Sequence, residues 1–122
     1  MKNLLFILFL AATAGNPNLS EISQALNSGN AEELSKYFDE TVEVAVLNDE
    51  DIFSKDEAKA MIHNFFDSNK PKSFSQVHQG ASKGDSKYCI GNLVAGGGSY
   101  KVYIYMKQKG DRYLIQVIRI DK

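Results

Sequence analysis

The chain has 122 residues, of which 43% are hydrophobic, and its formal net charge at pH 7 is −1. A chain of this length fits one domain that buries about two thirds of its unfolded surface, so its stability does not require disulfides. The single cysteine excludes an intrachain disulfide, and the slightly negative charge argues against a nucleic-acid-binding protein.

The N-terminus has the pattern of an export signal. Lys2 precedes an apolar run from Leu4 to Ala12, and Ala12-Thr13-Ala14 has the small residues that signal peptidase accepts. The run is shorter than the roughly 20 residues of a membrane-spanning helix, and the alternative to a signal is a buried N-terminal helix. We expect cleavage after Ala14, one mature domain of residues 15–122, and a periplasmic or secreted location.

Two short helices are predicted next. Leu19, Ile22 and Leu26 recur at helical spacing before a stop at Ser28-Gly29. Asn30 is followed three residues later by a glutamate, which is the spacing of a capping box and predicts a second helix. The alternating valines of TVEVAVL then predict a half-buried strand. The acidic segment NDED lacks the ligand spacing of a calcium site and is interpreted as a solvated loop.

A third helix and about four strands complete an α+β layout. Ser54 and Glu57 have the spacing of another capping box. The apolar stripe of this helix comprises Ala58, Met61, Ile62 and Phe65. Lys70-Pro71 ends the helix, because the residue before proline is pushed out of the helical region. From Phe74 onward, strand patterns are separated by glycine turns in SKGDS, AGGGS and QKGD.

The segment SYKVYIYMKQKGDRYLIQVIRI reads as a hairpin with two distinct faces. A turn at Gln108-Lys109 with Gly110 in the left-handed region would place Tyr105 opposite Tyr113. The predicted core face comprises Tyr100, Val102, Ile104, Met106, Leu114, Gln116, Ile118 and Ile120. The predicted outer face comprises Lys101, Tyr103, Tyr105, Lys107, Tyr113, Ile115, Val117 and Arg119. Because a monomer would leave its apolar groups wet, we expect a homodimer interface that contains Tyr103, Tyr105, Tyr113, Ile115 and Val117.

Several segments resemble one bacterial family. The capped helix ending in NFF, the segments VHQGASK and SKYCIGNL, the strand GSYKVYIYMK and the closing YLIQVIRI are similar to the exported domain-of-unknown-function family 4783. The resemblance implies a nuclear-transport-factor-2-like (cystatin-like) fold, in which a strongly curved antiparallel sheet wraps around helices and leaves a cavity at its open end. It implies no catalytic residues.

That implied cavity is the candidate ligand site. We expect it to contain His78, Tyr88, Tyr100 and Gln116; the alternative for Gln116 is a hydrogen bond to backbone or water within the core. The leading hypothesis is a non-enzymatic binding or interaction domain, and the alternative is a cavity enzyme that uses His78 as a base. Ketosteroid isomerase, on the same fold, needs a carboxylate base, and this chain has no acidic residue between Asp85 and Asp111.

We expect no cofactor and no bound metal. Two distant histidines and one cysteine do not make a zinc site.

The two halves of the mature chain have opposite charges. Residues 15–68 carry a net charge of −9 and residues 69–122 a net charge of +7. This asymmetry favours docking of the two halves on each other, with an anionic partner as the alternative. Cys89 lies in an apolar strand pattern, which predicts a buried and unreactive thiol; an intermolecular bridge is the alternative.

Overall fold

This computed structural model describes residues 19–81 and 83–122, in which three helices and six strands follow one another. The predicted signal, residues 1–14, lies outside the described residues. The helices are α1 (Leu19–Ser28), α2 (Ala31–Ser35) and α3 (Lys55–Ser68). The strands are β1 (Phe38–Val46), β2 (Asp49–Ser54), β3 (Pro71–Ala81), β4 (Ser86–Ala95), β5 (Gly98–Lys109) and β6 (Arg112–Asp121). Within this part of the chain no helix has the length and apolar character needed to cross a membrane.

The predicted helix starts are confirmed by their caps. The side chain of Asn30 accepts a hydrogen bond of 3.0 Å from the backbone of Glu33 at the start of α2. At the start of α3 the Ser54 hydroxyl accepts from the Glu57 backbone at 3.2 Å, and the Glu57 carboxylate accepts from the Ser54 backbone at 3.0 Å. These bonds satisfy backbone donors that have no partner within the first helical turn.

The six strands form one open, curved sheet in the order β2-β1-β6-β5-β4-β3. Four of the five pairings are antiparallel, and β1 pairs with β6 in parallel. The meander from β3 to β6 therefore returns the last strand to the side of the first. The helices pack against the inner face of the sheet, which is the face that carries Val102 and Ile104; the opposite face is called the outer face below.

The core confirms the predicted inner face of β5. Tyr100, Val102, Ile104 and Met106 are all buried there. They meet the buried side of α3, where the Phe65 ring packs edge-on against Tyr100 with centroids 5.2 Å apart. Such edge-to-face packing adds to the stabilisation that burial of two aromatic rings already supplies.

The acidic NDED segment is not a loop, and here the sequence interpretation was wrong. Asn48 lies in the turn, but Asp49, Glu50 and Asp51 open β2, an edge strand. Its pairing with β1 runs from Thr41 opposite Ser54 to Val46 opposite Asp49. Leu47 turns between the two strands with φ of 56°. Acidic side chains have low strand propensity, but at a sheet edge they remain solvated while the backbone pairs with a strongly patterned neighbour.

The β5–β6 hairpin also differs from its predicted register. Its turn is two residues long, Gly110-Asp111, so Lys109 pairs with Arg112 and Tyr113 pairs with Gln108 rather than with Tyr105. Gly110 takes φ of 67°, a left-handed conformation that glycine adopts without steric cost.

A bulge near Gln116 then reverses the facing of the residues that precede it in β6. Tyr105 pairs with Val117 while Met106 pairs with Ile115, so one extra residue lies on the β6 side. Ile115 consequently faces the core with no exposed surface, and it cannot belong to an outer interface. Leu114, predicted to lie in the core, pairs with Lys107 and faces outward. Tyr113 packs partly buried against the core, with the Lys87 ammonium 5.5 Å from its ring centroid.

Candidate functional site

The outer face of the sheet gathers five of the nine predicted site residues. His78 comes from β3, Tyr88 from β4, Tyr103 and Tyr105 from β5, and Val117 from β6. Ile90, which the sequence analysis did not single out, pairs with Tyr103 and lies among them. These six residues, His78, Tyr88, Ile90, Tyr103, Tyr105 and Val117, are called the aromatic patch. His78 is exposed, and the other five residues are partly exposed.

Three aromatic rings of the patch contact one another across neighbouring strands. His78 Nε2 lies 2.9 Å from the Tyr88 hydroxyl, and the two ring centroids are 5.5 Å apart. Tyr88 in turn stacks on Tyr103 at 6.4 Å with an interplanar angle of 29°. The Tyr88 ring lies over Gly80, where a Cβ atom would come within 2.9 Å of its hydroxyl. Gly80 thus leaves the space that lets Tyr88 reach His78.

Tyr105 is fixed by a separate hydrogen bond. Its hydroxyl donates to Ser86 Oγ at 2.8 Å, and Ser86 is only 4% exposed. Tyr105 is also the cross-strand neighbour of both Tyr88 and Val117. The four rings of the patch are therefore positioned by contacts within the chain, those of His78, Tyr88 and Tyr103 by one another and that of Tyr105 by Ser86.

Charged residues of both signs surround the patch. Arg119 Nη2 lies 2.8 Å from a Glu43 carboxylate oxygen and 3.2 Å from a Glu50 carboxylate oxygen, next to Val117. Lys101 and Lys107 are exposed on β5, at either end of the tyrosine pair. The patch itself carries no permanent charge, so its rim is charged and its centre is not.

The predicted cavity residues do not meet in one site. Tyr100 is 7% exposed, and its hydroxyl donates to Asn69 Oδ1 at 3.2 Å on the inner side of the sheet. His78 and Tyr88 lie on the opposite face of the sheet. A base at His78 would therefore not face the space enclosed by the sheet and the helices, contrary to the cavity-enzyme hypothesis.

The side-chain amide of Gln116 donates a hydrogen bond to an aspartate of β1. Its Nε2 donates to Asp39 Oδ2 at 2.6 Å, and Lys109 Nζ lies 3.0 Å from the same carboxylate oxygen. Burial of Asp39 opposes its ionisation. The hydrogen bonds from Lys109 and from the Glu40 backbone, with the charges of Lys109 and Lys55, outweigh that cost and hold the pKa of Asp39 below its usual value.

Cys89 is buried beneath the sheet, as the sequence predicted. It is 1% exposed, and burial raises the pKa of its thiol to about 11. A thiol that stays protonated at neutral pH is a poor nucleophile. Among the described residues, no group of three or more histidine, cysteine, aspartate or glutamate side chains is arranged to hold a metal ion.

Comparisons with known proteins agree on family and fold. A family model described as a domain of unknown function, DUF4783, matches residues 19–121. A DUF4783 family protein from Bacteroides ovatus is 32% identical, with a TM-score of 0.83 over 88% of this chain and 97% of that chain. Another from Bacteroides uniformis is 31% identical, with a TM-score of 0.81 over 85% of this chain and 95% of that chain.

A more distant structure shows the same fold. A domain of unknown function with a cystatin-like fold from Nostoc punctiforme has a TM-score of 0.63 at 11% identity, over 84% of this chain and 70% of that chain. The α+β, nuclear-transport-factor-2-like architecture predicted from the sequence is thus confirmed. No curated protein matches the chain.

Proposed function

The chain belongs to the DUF4783 family, and on that premise we propose that it is an exported, non-enzymatic interaction domain that self-associates through the aromatic patch. The observation that carries this proposal is the ordered set of partly exposed tyrosines on the outer face. Tyrosine is enriched at protein interfaces because it supplies a large rigid ring and a hydroxyl that tolerates water. A plain solvent-facing sheet has no need of such a cluster.

A second copy of this chain is the partner that the charges favour. The centre of the patch carries no permanent charge, so two copies can meet there without burying an unpaired ion. The rim holds Glu43 and Glu50 on one side and Lys101 and Lys107 on another. A rim of mixed sign is compatible with its own copy, whereas a rim of one sign would repel it.

Analytical ultracentrifugation across concentration tests this proposal. The wild type is expected to form a dimer, and Tyr103→Glu is expected to raise the dissociation constant by more than about 100-fold, because burying a carboxylate costs several kcal/mol. Ile90→Lys, at the cross-strand neighbour, should act in the same direction. His63→Glu is the matched control, since His63 is exposed on α3 on the other side of the sheet.

Two outcomes contradict self-association. One is a wild type that stays monomeric at high concentration. The other is a folded Tyr103→Glu variant, verified by its circular dichroism spectrum, that dimerises as the wild type does. In the first case the patch would be assigned to a different partner.

The export part of the proposal rests on residues 1–14 alone. Expression of the full chain in a bacterial host and intact-mass analysis of each cell fraction should find a protein that begins at Gly15 outside the cytoplasm. A full-length chain confined to the cytoplasm would contradict it.

A further inference from the structure

A cleft separates α3 from the β1–β2 hairpin on the inner side of the sheet. Its volume is about 540 Å³, within the range of small-molecule sites. It is lined by Val46, Asp49, Phe53, Glu57, Ala60, Met61, Asn64, Phe65, Ser68 and Asn69. We refer to it as the helix–hairpin cleft.

The floor of the cleft is apolar and continuous with the core. Phe65 is 6% exposed, and Phe53, Met61 and Val46 are partly buried and pack against the core cluster. Phe53 pairs with buried Val42 in β1, which directs it toward the helix rather than toward the outer face. An apolar ligand of moderate size would gain hydrophobic stabilisation from this floor.

The wall of the cleft is acidic. Asp49 and Glu57 are exposed along it, and none of the described residues that line it is a lysine, arginine or histidine. Glu57 is held in place because its carboxylate accepts the Ser54 backbone hydrogen bond. Two carboxylates beside phenylalanine rings favour a cation, which gains both charge attraction and contact with an aromatic ring.

From this floor and wall we propose that the helix–hairpin cleft binds a small amphipathic cation, with the apolar body against Phe53, Met61 and Phe65 and the cationic group toward Asp49 and Glu57. The site is independent of the aromatic patch, which lies on the opposite face of the sheet. Ligand binding in the cleft would therefore be a second function, and it does not depend on self-association.

A matched series of probes tests the charge requirement. Phenethylammonium, phenethyl alcohol and phenylacetate share one ring and a two-carbon or shorter tail, and they differ in charge. Titration of ¹⁵N-labelled protein at pH 7 and constant ionic strength should shift the amide signals of Asp49, Phe53, Met61 and Asn64. Phenethylammonium is expected to bind about fivefold more tightly than the alcohol, the ratio that one exposed ion pair supplies, and phenylacetate more weakly than either.

Two substitutions test the location. Asp49→Asn should reduce the preference for the ammonium over the alcohol, because it removes one carboxylate while keeping its shape. Met61→Lys should abolish detectable binding by placing a cation in the cleft. His63→Lys is the control, since it adds the same charge to the exposed side of the same helix and should leave the affinity unchanged.

Three results would overturn the proposal. The first is an absence of cleft shifts with phenethylammonium at millimolar concentration. The second is equal affinity for all three probes. The third is unchanged binding by Asp49→Asn and by a folded Met61→Lys, which would place the probe elsewhere.

Discussion

At the scale of single residues, Asp39 couples three strands through one carboxylate. Its oxygens receive the Gln116 amide from β6 and the Lys109 ammonium from β5, while Asp39 itself belongs to β1. The Asp39 side chain is 11% exposed, so these donors replace most of its hydration. A half-satisfied version of this cluster would leave a buried charge without a partner, which is costly.

We therefore expect Asp39→Asn to destabilise the domain by about 1–3 kcal/mol at neutral pH, the cost of a lost hydrogen bond to a charged group. The folded-state pKa of Asp39 lies below its unfolded value of about 3.9, so its contribution is present above that pH and is lost as the pH falls through the folded pKa. Urea unfolding at a series of pH values measures this. The difference between wild type and variant should shrink below about pH 4.

Asp121→Asn provides the control for this measurement. Asp121 is exposed at the end of β6, and its substitution should change the free energy of unfolding little at any of these pH values. A difference between wild type and Asp39→Asn that stays constant down to pH 3 would contradict the role assigned to the Asp39 carboxylate.

The Gln116 pair also shows what a sequence leaves open at this scale. A glutamine among aliphatic residues of a strand predicts that its amide needs a hydrogen-bond partner. The partner is 77 positions away in the chain, and it meets Gln116 because β1 lies in parallel beside β6. Local pattern identifies the need, but only the sheet order identifies Asp39.

At the scale of elements, the helix caps and the strand alternation of β5 were predicted correctly, but the register of the β5–β6 hairpin was not. Caps at Asn30 and Ser54 and the alternation of β5 are local features, because each depends on residues within a few positions. The bulge near Gln116 is not local, since it arises where β6 is paired on both sides, to β5 and to β1. Because of that single extra residue, Leu114 lies on the outer face and Ile115 lies in the core.

The short turn has a further consequence for the candidate surface. With Gly110-Asp111 as the turn, Tyr113 lies near Lys87 on the inner side and is lost from the predicted interface. Ile90 joins the surface instead, through its pairing with Tyr103. Strand alternation explains its position, because the neighbours of Ile90 in β4, Cys89 and Gly91, are both buried on the inner face. A sheet face can thus be predicted strand by strand only after the pairing of the strands is known.

At the scale of the whole molecule, the segments that resemble DUF4783 lie between Ser54 and Ile120 and were enough to predict the fold, and the family match extends over residues 19–121. They did not locate a site. The residues predicted to line one cavity lie on opposite faces of the sheet. Tyr100 is on the inner face, whereas His78 and Tyr88 lie on the outer face beside Tyr103. Which face a residue occupies follows from cross-strand register, and register is set by turns and bulges that short motifs do not encode.

The opposite charges of the two chain halves are partly used within the domain. Arg119 and Lys109, from the basic half, pair with Glu43, Glu50 and Asp39, from the acidic half. This agrees with the interpretation in which the asymmetry helps the halves to dock.

Self-association through an uncharged centre should survive high salt. Raising the sodium chloride concentration from about 0.05 to about 0.5 M screens the rim charges and leaves burial of Tyr103, Ile90 and Val117 intact, so the dissociation constant should change by less than about tenfold. Sedimentation equilibrium at both concentrations measures this, with Tyr103→Glu as the variant that should remain monomeric in each. Complete dissociation at the higher concentration would mean that rim ion pairs carry the contact.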